Sequence, residues 1–146
     1  MKFPISYFYK TIKSNISMFY KTEFSISIDH HLKIVKYKHT GIITKRDLDD
    51  AWGKLVQLNE FAHLKYNLLA DYRNSRFDIS HSTIDVIVNE MKSIKSFFEG
   101  RRQSFIIDDP FSMAISMLFI EEVKSKIGFK IDVFSTEEAA TAWLIF

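Results

Sequence analysis

The sequence predicts an α/β domain with a mixed, mostly parallel sheet, in the element order β-β-α-β-α-β-α-β-α. Three observations carry this. Apolar and polar residues alternate strictly over Phe24, Ile26 and Ile28 against Ser25, Ser27 and Asp29, the period of a half-buried strand. Further on, short apolar strand-like runs are separated by stripes of helical period. Helix-start signals fall between them, above all Asp109-Pro110, an N-cap acceptor followed by proline at the first helical position. Alternating strands and helices imply right-handed crossovers and parallel pairing, with the first hairpin strand as an antiparallel edge. The length of 146 residues suits one domain able to bury a core.

Residues 1–22 stand apart from this pattern. Ile5, Phe8, Ile12, Ile16 and Phe19 recur at helical spacing among Lys10, Lys13 and Lys21, with Pro4 placed to start a turn. The stretch is expected to be a basic amphipathic arm or tail, with contact to a membrane surface by residues 2–21 as the lesser alternative. A chain begun at Met18 is expected to fold, since the core pattern starts only at Phe24. The domain is expected to span residues 23–146.

Within it, Asp29-His30-His31 is turn-like and Leu32 to Tyr37 forms the second strand of a hairpin. Gly41 breaks the pattern. Thr44 and Asp47 then form a capping-box-like start to a helix reaching Phe61, with Leu48, Ala51, Trp52, Leu55 and Leu58 inward. Tyr66 to Ala70 is a strand apolar enough for burial on both faces, ended by polar residues from Asp71 to Arg76. Ser80 or Ser82 caps the next helix, whose stripe is Ile84, Ile87, Val88, Met91 and Ile94. Gly100-Arg101-Arg102 makes a loop before a strand over Ser104 to Ile107. A helix from Phe111 to Lys124 follows, closed by Gly128. Lys130 to Phe134 is the last strand, and Ser135 with Glu138 forms a second capping box for a final helix.

Composition excludes several classes. There is no cysteine, hence no disulfide, thiolate metal site or cysteine nucleophile. The four lysines of residues 1–22 account for the net charge of +2, leaving 16 bases against 18 acids in the domain. That balance lacks the basic face a nucleic-acid binder needs, so no nucleic-acid partner is expected. No run reaches the roughly 18 apolar residues of a membrane span, and the start lacks the pattern of a signal peptide, so a cytoplasmic location is expected.

The hairpin leading into Gly41-Ile42-Ile43-Thr44, the short strand ending in Leu68-Leu69-Ala70-Asp71 and the closing stretch from Val133 to Leu144 together resemble the SpoIIAA-like superfamily, which includes STAS domains. The resemblance covers residues 24–144. It implies a SpoIIAA-like fold and a role as an interaction module, as in anti-sigma-factor antagonists, stress-signalling scaffolds and the tails of anion transporters; some relatives bind lipids or small apolar ligands. Antagonists of this kind carry a phosphorylated hydroxyl in an Asp-Ser-Ser/Thr-Gly type motif. Asp71-Tyr72-Arg73-Asn74 stands there instead, without hydroxyl or glycine, so no phosphoswitch is carried over.

Candidate sites follow from topology. In open α/β sheets ligands gather outside the carboxyl ends of the strands, which here supply Asp71, Arg73, Asp108 and Asp109. The plainer reading is that Asp71 and Arg73 pair, Asp109 caps a helix and Asp108 is solvated. The five histidines match no zinc spacing and are expected at the surface, so no metal site and no cofactor are assigned. With four glycines and no nucleophile elbow, a phosphate cradle is hard to build, no general acid or base with a matched partner can be named from the spacing, and no enzyme is expected. The helix over residues 111–124 is apolar nearly all round, more than one sheet face covers. Phe111, Met113, Met117 and Phe119 are therefore expected at an interface, with a second copy of the chain as partner. The leading expectation is a non-enzymatic, self-associating protein-interaction or regulatory module. The alternative is a small-molecule or lipid-binding protein using the strand-end crevice or a pocket beside helix 111–124.

Overall fold

The computed structural model describes residues 22–146, so the expectations for the arm over residues 2–21 lie outside the described residues. Strands β1 (Glu23–Asp29) and β2 (Ile34–Ile43) form the expected antiparallel hairpin, with Asp29 facing Ile34 across its closed end. The turn is fixed by the Asp29 carboxylate, which accepts the Leu32 N–H at 2.9 Å. Then follow α1 (Lys45–Leu55), α2 (Asn59–Ala62), β3 (Asn67–Asp71), β4 (Ser75–Phe77), α3 (His81–Ser93), β5 (Arg102–Ile106), α4 (Pro110–Lys126), β6 (Lys130–Phe134) and α5 (Glu137–Ile145). A 3-10 turn over Lys95–Phe98 links α3 to β5.

The sheet runs β1-β2-β3-β5-β6, and every pairing beyond the hairpin is parallel. Its central strands are buried on both faces, as their near-continuous apolar runs require. Val35, Tyr37, Leu68, Ala70, Phe105 and Ile131 join the larger core, shared with α1, α3 and α4. Ile34, Leu69 and Ile106 face the opposite way and pack on Ala140 and Leu144 of α5. No helix among the described residues is long and apolar enough to cross a membrane.

The helix-start chemistry is as expected at three positions. Thr44 and Asp47 form a reciprocal capping box, Ser80 accepts the Thr83 N–H, and Asp109 accepts the Ser112 N–H with Pro110 in the first turn. At the fourth the cap moves by one residue. Thr136, not Ser135, accepts the N–H of Ala139, because the Phe134 carbonyl still accepts from Ile107 and holds Ser135 in the connection. Other boundaries move as well. The helix expected to reach Phe61 ends at Leu55 and restarts at Asn59, the turn closing through Leu58 N–H to Leu55 carbonyl at 3.1 Å. The strand expected from Ser104 begins at Arg102.

β4 was not expected at all. β2 outlasts β3, and its end, Gly41–Ile43, pairs in parallel with Ser75–Phe77. The chain reaches that position by an excursion through Tyr72, Arg73 and Asn74. Asn74 takes φ +61, a left-handed conformation asparagine tolerates, and its carbonyl accepts the N–H of Gly41 at 3.1 Å. Gly41 itself has φ +96, which explains a glycine at this point of the strand.

Surface placement holds for four of the histidines and fails for His39, which is fully buried. Its side chain hydrogen-bonds the Tyr37 hydroxyl and lies beside the Phe24 ring. Burial pushes its pKa below the ordinary value, against the charge of Asp47.

Candidate functional site

The strand-end residues singled out from the sequence are each engaged by the fold. Asp71 accepts from the Arg73 backbone at 3.0 Å and from its guanidinium at 2.9 and 2.7 Å. Burial opposes the Asp71 charge, but the hydrogen bonds and charge of Arg73 outweigh it and lower the pKa. Asp108 accepts the Asn74 N–H at 3.3 Å and so braces the excursion before β4. Asp109 caps α4 and binds Arg76 at 2.9 Å. The four residues lie along one edge, yet each acidic group has a partner within the chain, and they do not converge on a shared open site.

The four α4 residues expected at an interface divide. The inward face of α4 is lined by Ser112, Ser116, Ile120 and Val123. Ser112 accepts the Phe77 N–H at 3.0 Å, and Ser116 hydrogen-bonds the Ser112 carbonyl. With small serines turned inward, larger apolar groups are left outside: Phe111 and Met117 are half exposed, with Leu118 beside them. Met113 and Phe119 pack instead against the core, Phe119 stacking on Phe105 with ring centroids 6.2 Å apart.

The feature of the fold with most chemical capacity is a cavity of about 290 Å³ between α1, α3, α4 and the sheet. α3 packs along α4, whereas α1 and α3 make little direct contact, and the cavity lies between them. Its walls are Leu48 and Trp52 of α1, Ile84, Ile87 and Met91 of α3, Ile115 and Phe119 of α4, and Phe98 of the 3-10 turn. Tyr72, Phe77, Gln103 and Phe105 form the floor. Most of these are members of the amphipathic stripes visible in the sequence. Only part of each stripe reaches the sheet: Ala51, Leu55, Ile84 and Val88 are buried, while Leu48, Trp52 and Ile87 are partly buried and line the hollow.

The rim is polar and exposed. Asp49 and Glu90 both line the cavity, and Lys45 binds both, at 2.8 Å and 3.1 Å. This bridge ties the start of α1 to the end of α3 across the opening. Inside, the hydroxyl of Tyr72 is paired with Tyr37, and burial raises the pKa of both phenols, so both stay neutral. Gln103 was missed by sequence reasoning because Arg101-Arg102-Gln103 looks like a polar loop. Its neighbours in the sheet, Leu68 and Ile131, are both apolar members of the larger core, so the side chain points to the cavity side.

A second hollow, of about 390 Å³, lies where β5 and β6 begin, lined by Lys95, Arg101, Arg102 and Lys130 among others. Arg101 is buried rather than in an open loop. Its guanidinium lies 4.3 Å from the ring centroids of both Phe61 and Phe97 and reaches the Ala62 carbonyl at 3.4 Å. That sandwich braces α2 against the 3-10 turn.

A parallel sheet with one antiparallel edge, three helices on one face and the closing helix on the other make this a SpoIIAA-like α/β fold. The chain is similar in structure to an uncharacterised protein of the DUF3478 family with a SpoIIAA-like fold from Shewanella loihica PV-4. The two share 15% identity with a TM-score of 0.55, over 85% of this chain and 95% of that one. No family model matches the sequence, and no curated protein matches it either.

Proposed function

We propose that the protein is a SpoIIAA-like binding module that takes a small, largely apolar ligand into the cavity between α1, α3 and α4. One observation supports this above all others: a hollow of about 290 Å³ walled by aromatic and aliphatic side chains with few polar groups, unlike the second hollow, which is lined largely by charged residues and glycine. Closed cores leave few voids larger than a water molecule. Ligand sites have this size range and this balance of apolar wall and sparse polar groups. Among the described residues no general acid or base with a matched partner faces the hollow, which favours binding over catalysis.

The test uses Trp52, which lines the cavity, against Trp143, which sits on the other face of the sheet beside Phe134. A small bromoarene such as 4-bromotoluene quenches Trp52 emission saturably, and the Trp52→Phe protein, left with Trp143, shows no saturable component. Quenching that rises without saturation, or is unchanged in Trp52→Phe, overturns the reading.

The self-associating interaction module is favoured by a separate observation, the exposed Phe111, Met117 and Leu118 on α4. If a second copy covers them, Met117→Glu gives a folded monomer where the unmodified chain is a dimer by light scattering. An unmodified chain that is monomeric at high concentration removes this second reading.

A further inference from the structure

We infer that Gln103 is the polar anchor of the cavity, selecting an uncharged apolar ligand that carries one amide-like group able both to donate and to accept. This rests on the cavity reading above and names the chemistry of its ligand. Of the polar side chains lining the hollow, Asp49 and Glu90 share Lys45, Tyr72 pairs with Tyr37, and Ser116 binds the Ser112 carbonyl. Gln103 is the exception. It is 2% exposed, lines the hollow, and its side-chain amide makes no hydrogen bond to another described residue. The buried side-chain atoms left without a partner among the described residues are Arg101 Nε and Nη1 and Ser104 Oγ, so the Gln103 amide is not sealed in the core but opens onto the hollow, with a carbonyl and two N–H groups to offer. A cavity that it faces supplies the missing partner when filled.

Size and charge narrow the ligand further. A cavity of about 150 Å³ takes a benzene ring. The present hollow is about 290 Å³, which fits a two-ring molecule with a small substituent. The rim adds a charge filter, since Asp49 and Glu90 share a single ammonium, and an anion would have to pass both carboxylates. Nor does any described residue of the floor offer a cation to receive it. The group presented to Gln103 is therefore neutral, of the primary-amide or lactam type, which matches a carboxamide at two points.

The experiment is a methyl NMR titration of the full chain, reading Ile84, Ile87 and Ile115, with naphthalene, 2-naphthamide and 2-naphthoate. The unmodified protein binds 2-naphthamide roughly tenfold more tightly than naphthalene, the gain of a satisfied buried amide, and binds 2-naphthoate most weakly. Gln103→Leu keeps its affinity for naphthalene and loses the preference for the amide; Gln103→Met serves the same purpose should the branched side chain pack poorly. Equal affinities for naphthalene and 2-naphthamide in the unmodified protein, or a preference that survives in both variants, overturns the role of Gln103 while leaving the cavity reading intact. If none of the three compounds moves the cavity methyls in any of these proteins, the cavity reading itself falls, and this inference with it.

Discussion

Gln103 and Arg101 are two polar residues buried within three positions of each other, and the fold treats them differently. Arg101 is held between two phenyl rings that face its charge, although its Nε and Nη1 are buried without a hydrogen-bond partner among the described residues. Gln103 makes no hydrogen bond to a described residue, and its amide faces the hollow rather than the packed core. Replacing it with leucine removes a polar group set among apolar walls and keeps the bulk. Gln103→Leu is therefore expected to raise the stability of the ligand-free protein by about 1 kcal/mol, measured by urea denaturation. A loss of stability instead would mean that the amide holds the strand in place. Asp109 makes the opposite case, a polar group fully used. The Arg76 hydrogen bond, aided by those from Ser112 and opposed by burial, holds its carboxyl down to about 2, against an ordinary value of 3.8. The folded state thus binds this proton less readily than the unfolded chain does. The resulting stability is complete above the unfolded value and drains away as pH falls through about 2. Asn at this position still accepts the Ser112 N–H but cannot titrate. Between about pH 5 and about pH 2.5, the melting temperature of Asp109→Asn should fall less than that of the unmodified protein. Parallel declines would show that the pair with Arg76 adds nothing.

At the scale of elements, α1 carries the clearest prediction. Gly53 lies inside the helix, exposed at the cavity rim, and a Cβ built there meets nothing within 4 Å. Gly53→Ala should stabilise the domain by about 0.5–1 kcal/mol through helix propensity alone, read as a shift of the urea midpoint at unchanged slope. The elements themselves were legible where local chemistry decides them: Thr44, Ser80 and Asp109 cap helices because their oxygens reach N–H groups two or three residues on. What was not legible depends on distant partners. Ser75–Phe77 has no strand signal of its own and becomes β4 because the overhanging end of β2 offers it hydrogen bonds. The break after Leu55 carries neither glycine nor proline. The same division holds for the site. Its walls were visible as helical stripes over Leu48, Trp52, Ile84 and Ile87, but a stripe does not reveal whether it meets the sheet or borders a hollow. Gln103 sits in a polar tripeptide whose burial comes only from strands on either side.

For the molecule as a whole, the cavity sets binding against stability. A domain with about 290 Å³ left unfilled forgoes the dispersion contacts that closed packing would supply. Ile115 lies on α4 at the edge of the hollow, partly buried and packed against the larger core, so a longer side chain there has room to grow inward. Ile115→Phe is expected to place its ring in the space a ligand would occupy. Without ligand, the variant should be more stable by about 1 kcal/mol, the usual gain from filling a cavity. With ligand present, the order reverses. At a concentration of about 100 times the dissociation constant, the unmodified protein gains about 2.7 kcal/mol by mass action, while the filled variant gains nothing. The two proteins should therefore exchange rank in a thermal melt as 2-naphthamide is added. A variant that is destabilised from the outset would show that the hollow is already closed by packing at Ile115. One that is stabilised and still responds to 2-naphthamide would place the binding site elsewhere. A rank exchange is the outcome expected of a fold that leaves space in its core for something other than itself.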